Sequence, residues 1–195
     1  MRRVLVIDDH EPSRRHLIKI LRERGYEIAG EGSSGKLAAA LARTTIPDVI
    51  VMAVGLSDLD GIQAAGEILK NILLPVVLIT SHYEASTVER ATKSGVMALL
   101  LKPVREEAVS PAIELAISRF KDFLAVQQEN ESLKENLESR KIIERAKGLL
   151  MEQRKLSEEQ AYSLIKKASM NMRKPMADVA QAILLAAGLL TDKNP

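Results

Sequence analysis

Asp8, Asp9, Ala53, Thr80 and Lys102 stand where short apolar runs end, and four of the five carry side chains suited to a phosphoryl group and its metal. Paired acids suit Mg2+, a hard cation that takes oxygen ligands and keeps several waters. A lysine offsets phosphoryl charge, and a hydroxyl hydrogen-bonds one of the oxygens. A carboxylate at position 53 would complete the set, accepting the phosphoryl group in line and holding it as an acyl phosphate. Position 53 is alanine, so that reaction is chemically closed at this residue. Asp58 and Asp60 follow in the next loop, too far along the chain to keep the same in-line geometry.

A second group of residues suits a polyanion. Basic side chains come in pairs near the C-terminus: Arg140-Lys141, Arg145 with Lys147, Arg154-Lys155, Lys166-Lys167 and Arg173-Lys174. On amphipathic helices these are expected to point away from the buried stripe, where they can face a phosphate backbone. Tyr162 either stacks on an unpaired base or packs in the core. The net charge of +2 hides the asymmetry. Residues 1–117 carry 14 basic and 15 acidic side chains, residues 118–138 carry 3 and 5, and residues 139–195 carry 11 and 6. The excess of positive charge lies in the last segment, which points to an anionic partner there.

The elements that position these residues follow from periodicity. Val4–Ile7 is an apolar, mostly β-branched run ending in Asp8-Asp9, and Tyr26–Ala29 is a second short strand. Val49–Met52 is uninterrupted and apolar, as in a strand buried on both faces of a parallel sheet, and it ends at Ala53. Pro75–Thr80 and Val96–Leu101 are the fourth and fifth strands. Helical stripes fall between them; Pro12 suits a first turn, and Ser81–Glu84 reads as a capping box. The expected fold is a doubly wound α/β domain with a five-stranded parallel sheet, whose ligand chemistry gathers at the carboxyl edge.

From Arg105 the pattern is helical to the end, with Pro111 bounding or kinking the first turns. Phe123, Asn130 and Leu137 take one position of a heptad, and Val126 and Leu133 take the other. A single asparagine on an apolar seam favours a two-stranded, in-register coiled coil, so a homodimer is expected. Residues 139–195 then form three short helices, opened by a stripe through Ile142, Ile143, Ala146, Leu149 and Leu150. The Ser157–Gln160 capping box begins the next helix, and Pro175 suits the first position of the last. The divisions are 1–117, 118–138 and 139–195.

Composition closes several routes. With no cysteine, disulfides, thiolate metal sites and Cys nucleophiles are excluded. Two Phe, three Tyr and no Trp leave only a thin aromatic platform for bases. The N-terminal apolar run is too short for a signal peptide, and no stretch approaches the roughly 18 apolar residues that span a bilayer. A cytoplasmic protein without membrane contact is expected, and no complete catalytic set suggests an enzyme.

The first segment resembles the receiver domain of bacterial response regulators. The likeness rests on Asp8-Asp9, Asp60-Gly61, Thr80 and Lys102-Pro103. It implies a histidine kinase as partner, Mg2+ held by Asp9, the acceptor carboxylate and the Gly55 carbonyl with Asp8 beside them, and a cis Lys102-Pro103 bond. Two departures stand out. Ala53 replaces the acceptor, and Leu99 replaces the aromatic residue that commonly switches rotamer with the threonine. Any Mg2+ site is correspondingly weakened. Ala53 is either an engineered or recent replacement that freezes the unphosphorylated state, or a natural one that passes control to a ligand-sensing partner protein. The intact accompanying residues favour the first.

The last segment resembles the ANTAR domain of transcription antitermination regulators. Arg140, Ile143, Ala146-Lys147-Gly148, Leu149, Ser157, Ala161-Tyr162, Ala168, Met170, Arg173 and Val179-Ala180 carry the likeness. It implies binding of paired RNA hairpins, which blocks a terminator; duplex DNA is the rival target. Lys147, Lys166, Lys167 and Arg173 are the first candidates for RNA contact, followed by Arg140, Arg145, Tyr162 and Lys174.

Overall fold

The computed structural model describes residues 1–191, with side chains through Gly188; the tail Asp192–Pro195, counted above with the basic segment, lies outside the described residues. Two compact units divide the chain, Met1–Leu124 and Ala125–Pro195.

The first unit alternates strand and helix: β1 Arg3–Ile7, α1 Glu11–Glu23, β2 Glu27–Gly32, α2 Gly35–Thr45, β3 Val49–Ala53, α3 Gly61–Asn71, β4 Val76–Thr80, α4 Ala85–Lys93 and β5 Ala98–Leu101. All strand pairs are parallel, in the order β2-β1-β3-β4-β5. The expected doubly wound sheet is therefore present. β3 and β4 are buried at every position, which accounts for their unbroken apolar runs. The strand reverses order at β1 and β3, so the loops after β1 and β3 flank a crevice at the carboxyl edge. The two sheet faces are packed separately, with Leu5, Ile50, Met52 and Leu78 on one side and Val4, Val6, Val51 and Val77 on the other.

Local signals in the sequence did most of this work. Pro12 sits in the first turn of α1 and Gly25 follows its end with φ +82°. One expected start is corrected. The Ser81–Glu84 capping box does not form; α4 begins at Ala85, and its N-cap Glu84 makes no side-chain capping bond. Thr80 and the His82 backbone are instead bonded to each other in this loop.

Helix α5 runs unbroken over Glu106–Arg154, so Pro111 lies inside it rather than bounding it. In the second unit the C-terminal part of α5 packs with α6 Glu158–Met172 and α7 Met176–Thr191. The shared core is Ala146, Leu150, Ala161, Ile165, Val179 and Ala180, in which the three alanines allow close helix approach and the larger side chains fill the space between. The Ser157–Gln160 capping box is formed in both directions. Pro175 lies one residue before α7 instead of inside its first turn.

The pair Asp60-Gly61 acquires a physical reason. Asp60 caps α3 by accepting from the Ile62 and Gln63 amides. Gly61 donates to the Val54 carbonyl at 2.7 Å, and a Cβ at this position would stand 2.0 Å from the Ala53 carbonyl oxygen. Backbone approach this close admits only glycine. Gly61→Ala is therefore expected to lower the stability of the first unit by about 1–3 kcal/mol, measured by urea denaturation.

Candidate functional site

β1, β3, β4 and β5 deliver Asp8, Ala53, Thr80 and Lys102 to one edge of the sheet. Asp8 is 3% exposed, and its Oδ2 accepts from Lys102 Nζ at 2.6 Å while Oδ1 accepts from the His10 amide at 3.0 Å. Asp9 accepts from the Ser57 amide at 2.9 Å, which ties the loop after β1 to the loop after β3. Thr80 is buried, donates to the His82 carbonyl at 2.9 Å and accepts from the His82 amide. The Lys102-Pro103 bond is cis. Leu99 is half-buried against the sheet core.

The β3–α3 loop is fastened elsewhere as well. Asp58 accepts from the Ser34 hydroxyl at 2.6 Å and from the Gly35 amide at 2.9 Å, closing the N-terminus of α2 from a distance in sequence. The Ser34 hydroxyl, followed by the Gly35 amide, lowers the Asp58 carboxyl to about 2. A depressed carboxyl stabilises the fold fully above its ordinary value of 3.8 and loses that contribution as the pH falls through about 2, so this tie persists in mild acid. Asp60 also pairs with Arg90 of α4 at 3.0 Å. Asp58 and Asp60 are thus held in capping roles, consistent with their exclusion as substitute acceptors. Nothing in the local sequence signals the Ser34–Asp58 bond, which joins two loops 24 residues apart.

Mg2+ is held by oxygen ligands, with one or two carboxylates supplying the counter-charge. The charge of Asp8 is already matched by Lys102, and position 53 adds no carboxylate. Gly55 is exposed. Among the described residues, no group of three or more His, Cys, Asp or Glu side chains is placed to hold a metal. The residues present therefore do not make a site fitted to a resident ion. Titrating Mg2+ into the chain should give no saturating shift of the Ser57 amide resonance in the low-millimolar range, whereas Ala53→Asp should give one.

The second unit separates its cations into two kinds. Arg140, Arg145, Lys166, Lys167, Arg173 and Lys174 are exposed, and none forms an ion pair among the described residues. Tyr162 is 45% exposed, so it is not a core residue. Tyr162 and Lys166, four residues apart, share one face of α6, and Arg173 follows as its left-handed C-cap. The core residues Ala161, Ile165 and Ala168 occupy the neighbouring face.

Lys147 corrects the expectation that every basic residue points outward. It is 7% exposed, and its Nζ donates to both Glu144 oxygens at 3.0 Å and to Glu158 at 2.7 Å. The physical reason is its place beside Ala146 on the buried stripe of α5, where a charge is tolerated only with counter-charges in contact. Lys147 thereby fastens α5 to the first turn of α6. The Glu144–Lys147 spacing was readable as an i,i+3 pair; the Glu158 contact was not.

Both partners are shifted. The Glu158 and then Glu144 hydrogen bonds hold the Lys147 ammonium above its ordinary value, and Lys147 holds the Glu158 carboxyl below its own. The raised lysine contributes stability below 10.5 that fades as the pH rises through its folded value. The depressed glutamate contributes above 4.5 and fades as the pH falls through its folded value. Lys147→Met should lower the thermal midpoint by an amount that is flat across neutral pH and shrinks well below pH 4.5, read by circular dichroism.

The five seam residues, Phe123, Val126, Asn130, Leu133 and Leu137, are all exposed on α5. Among the described residues, no helix is long and apolar enough to cross a membrane.

Residues 4–114 match the family profile of the response regulator receiver domain, and residues 131–184 match that of the ANTAR domain. The chain belongs to the response regulators of two-component systems, as a receiver joined to an ANTAR domain. It is similar along nearly its whole length to the transcriptional regulatory protein PdtaR of Mycobacterium tuberculosis, 42% identical over 191 residues that cover 98% of this chain and 93% of that protein. The response regulator protein VraR of Staphylococcus epidermidis is 37% identical over 113 residues, covering 57% of this chain and 54% of VraR. Among solved structures, the receiver domain of a modulated diguanylate cyclase from Desulfovibrio desulfuricans is 29% identical, with a TM-score of 0.58 over 62% of this chain and 97% of that one. The receiver domain of the putative response regulator NarL from Mycobacterium tuberculosis is 28% identical, with a TM-score of 0.57 over 60% and 96%.

Proposed function

We propose that this protein is a cytoplasmic transcription antiterminator that binds RNA hairpins. Residues 1–117 act as the receiver, 118–138 as a coiled-coil helix and 139–195 as the RNA-binding unit. The observation that carries the reading is the row of unpaired cations beside an exposed tyrosine on α6, within an ANTAR domain. Lys166, Lys167, Arg173 and Lys174 contact phosphates, Arg140 and Arg145 extend that contact from α5, and Tyr162 stacks on a base of the loop. Lys147 positions α6 without touching RNA. The exposed heptad seam pairs two chains, and pairing makes the second hairpin contact intramolecular. With an aspartate at position 53, a histidine kinase would supply the phosphoryl group and favour the pair; with Ala53 this input is closed, and Mg2+ binding is weak.

A second reading has its own support. Asp8, Asp9 and Thr80 all have partners within the chain, so the receiver edge is ordered without a phosphoryl group. This favours a phosphorylation-independent pseudo-receiver controlled by a ligand-sensing partner protein.

Two experiments test the proposal. Removing Lys166 and Lys167 together should reduce the slope of log affinity against log salt by roughly 0.7 for each lost contact to unpaired RNA, and Tyr162→Ala should cost about 1–3 kcal/mol of hairpin affinity. Equal binding to a looped hairpin and to duplex DNA would contradict it. In the other experiment, Ala53→Asp with acetyl phosphate should raise both solution mass and hairpin affinity, whereas the Ala53 chain should not respond; no gain in the Asp variant would leave the pseudo-receiver reading.

A further inference from the structure

A cavity of about 480 Å³ opens between the first turns of α1 and the loop that follows β5. This is within the usual size of small-molecule sites. Its walls are largely carbon, from Pro12, Leu17, Ile79, Pro103 and Val104. Leu17 and Ile79 are themselves buried in the sheet core, so one wall is a fixed surface.

The polar groups at the cavity favour an acceptor. Lys102 uses one donor on Asp8, and an ammonium has three. His16 and Ser81 line the cavity, are exposed, and have no side-chain partner among the described residues. His10 contacts Ser13 through Nδ1, which leaves Nε2. The carboxylate in the lining, Asp8, already accepts from Lys102 and the His10 amide. Donors therefore outnumber free acceptors at one end of an apolar chamber.

We infer that this cavity binds a compact organic monocarboxylate with an aromatic or branched apolar body. The carboxylate accepts from Lys102, His16 and Ser81, and the body lies on Leu17, Ile79 and Val104. Inorganic phosphate offers acceptors but no body, so it gains nothing from the walls. Because Ala53 cannot carry a phosphoryl group, no phosphoryl at that residue competes for Lys102 in this chain. The inference concerns the receiver unit alone and is independent of whether the second unit binds RNA.

The test uses the intact, isotope-labelled chain and follows amide resonances on titration with 2-naphthoate. Saturable shifts at Ser13, His16 and Val104, with one naphthoate per chain, are expected. The neutral 2-naphthamide should bind about tenfold more weakly, since a hydrogen bond to a charged group is lost. Phosphate alone should give no saturable shift at these residues. Val104→Trp, made at a half-exposed position, should fill the chamber and abolish the naphthoate response. His16→Glu, made at an exposed position, should weaken it about tenfold by placing a like charge at the mouth. Absence of a saturable naphthoate shift, equal affinity for acid and amide, or binding undiminished in His16→Glu would overturn the inference.

Discussion

A buried charge needs its counter-charge in contact, and the sheet edge of the receiver is built around one such pair. Asp8 ends β1 and Lys102 ends β5, with β3 and β4 between those strands. The 2.6 Å contact therefore spans the ends of two intervening strands. Asp8 is almost wholly shielded from water, so losing Lys102 would leave an uncompensated carboxylate at the centre of the site. Around this pair the loops are sewn together by Asp9 with Ser57, Asp58 with Ser34 and Asp60 with Arg90. The edge holds its shape with no phosphoryl group at position 53.

The same constraint divides the basic residues of the second unit. Lys147 falls on the apolar stripe of α5, and its burial is tolerable because Glu144 and Glu158 both reach it. Away from that stripe, Lys141 pairs with Glu138 on the surface, while Arg140, Arg145, Lys166, Lys167, Arg173 and Lys174 need no such arrangement and form no ion pair among the described residues. One lysine thus joins two helices while the others leave a charged surface open. Proximity in sequence says little about role: Lys147 and Arg145 are two residues apart and face different surroundings.

The five strands, the doubly wound parallel class of the sheet and several of the capping signals were legible because they rest on local pattern and alternation. A four- or five-residue apolar run has few ways to be buried, and Pro12, Gly25 and Ser157 act within one turn of themselves. The phosphate-edge residues were legible for a related reason, since each ends its strand or lies within two residues of its end. What local pattern could not supply was contact between distant segments. The Ser34–Asp58 and Lys147–Glu158 bonds join loops and helix ends that no periodicity relates. The missing cap at Ser81 shows the converse failure, in which a correct residue pattern lost to a competing bond between Thr80 and the His82 backbone.

The account depends on output residing in the exposed face of α6 while the receiver edge stays closed on itself. Hydrogen–deuterium exchange of the intact chain, with and without a looped RNA hairpin, tests this directly. Slower exchange across residues 158–176 on adding RNA, with residues 53–61 unchanged, is the expected result. Protection confined to the receiver, or no protection in the second unit at saturating RNA, would contradict it.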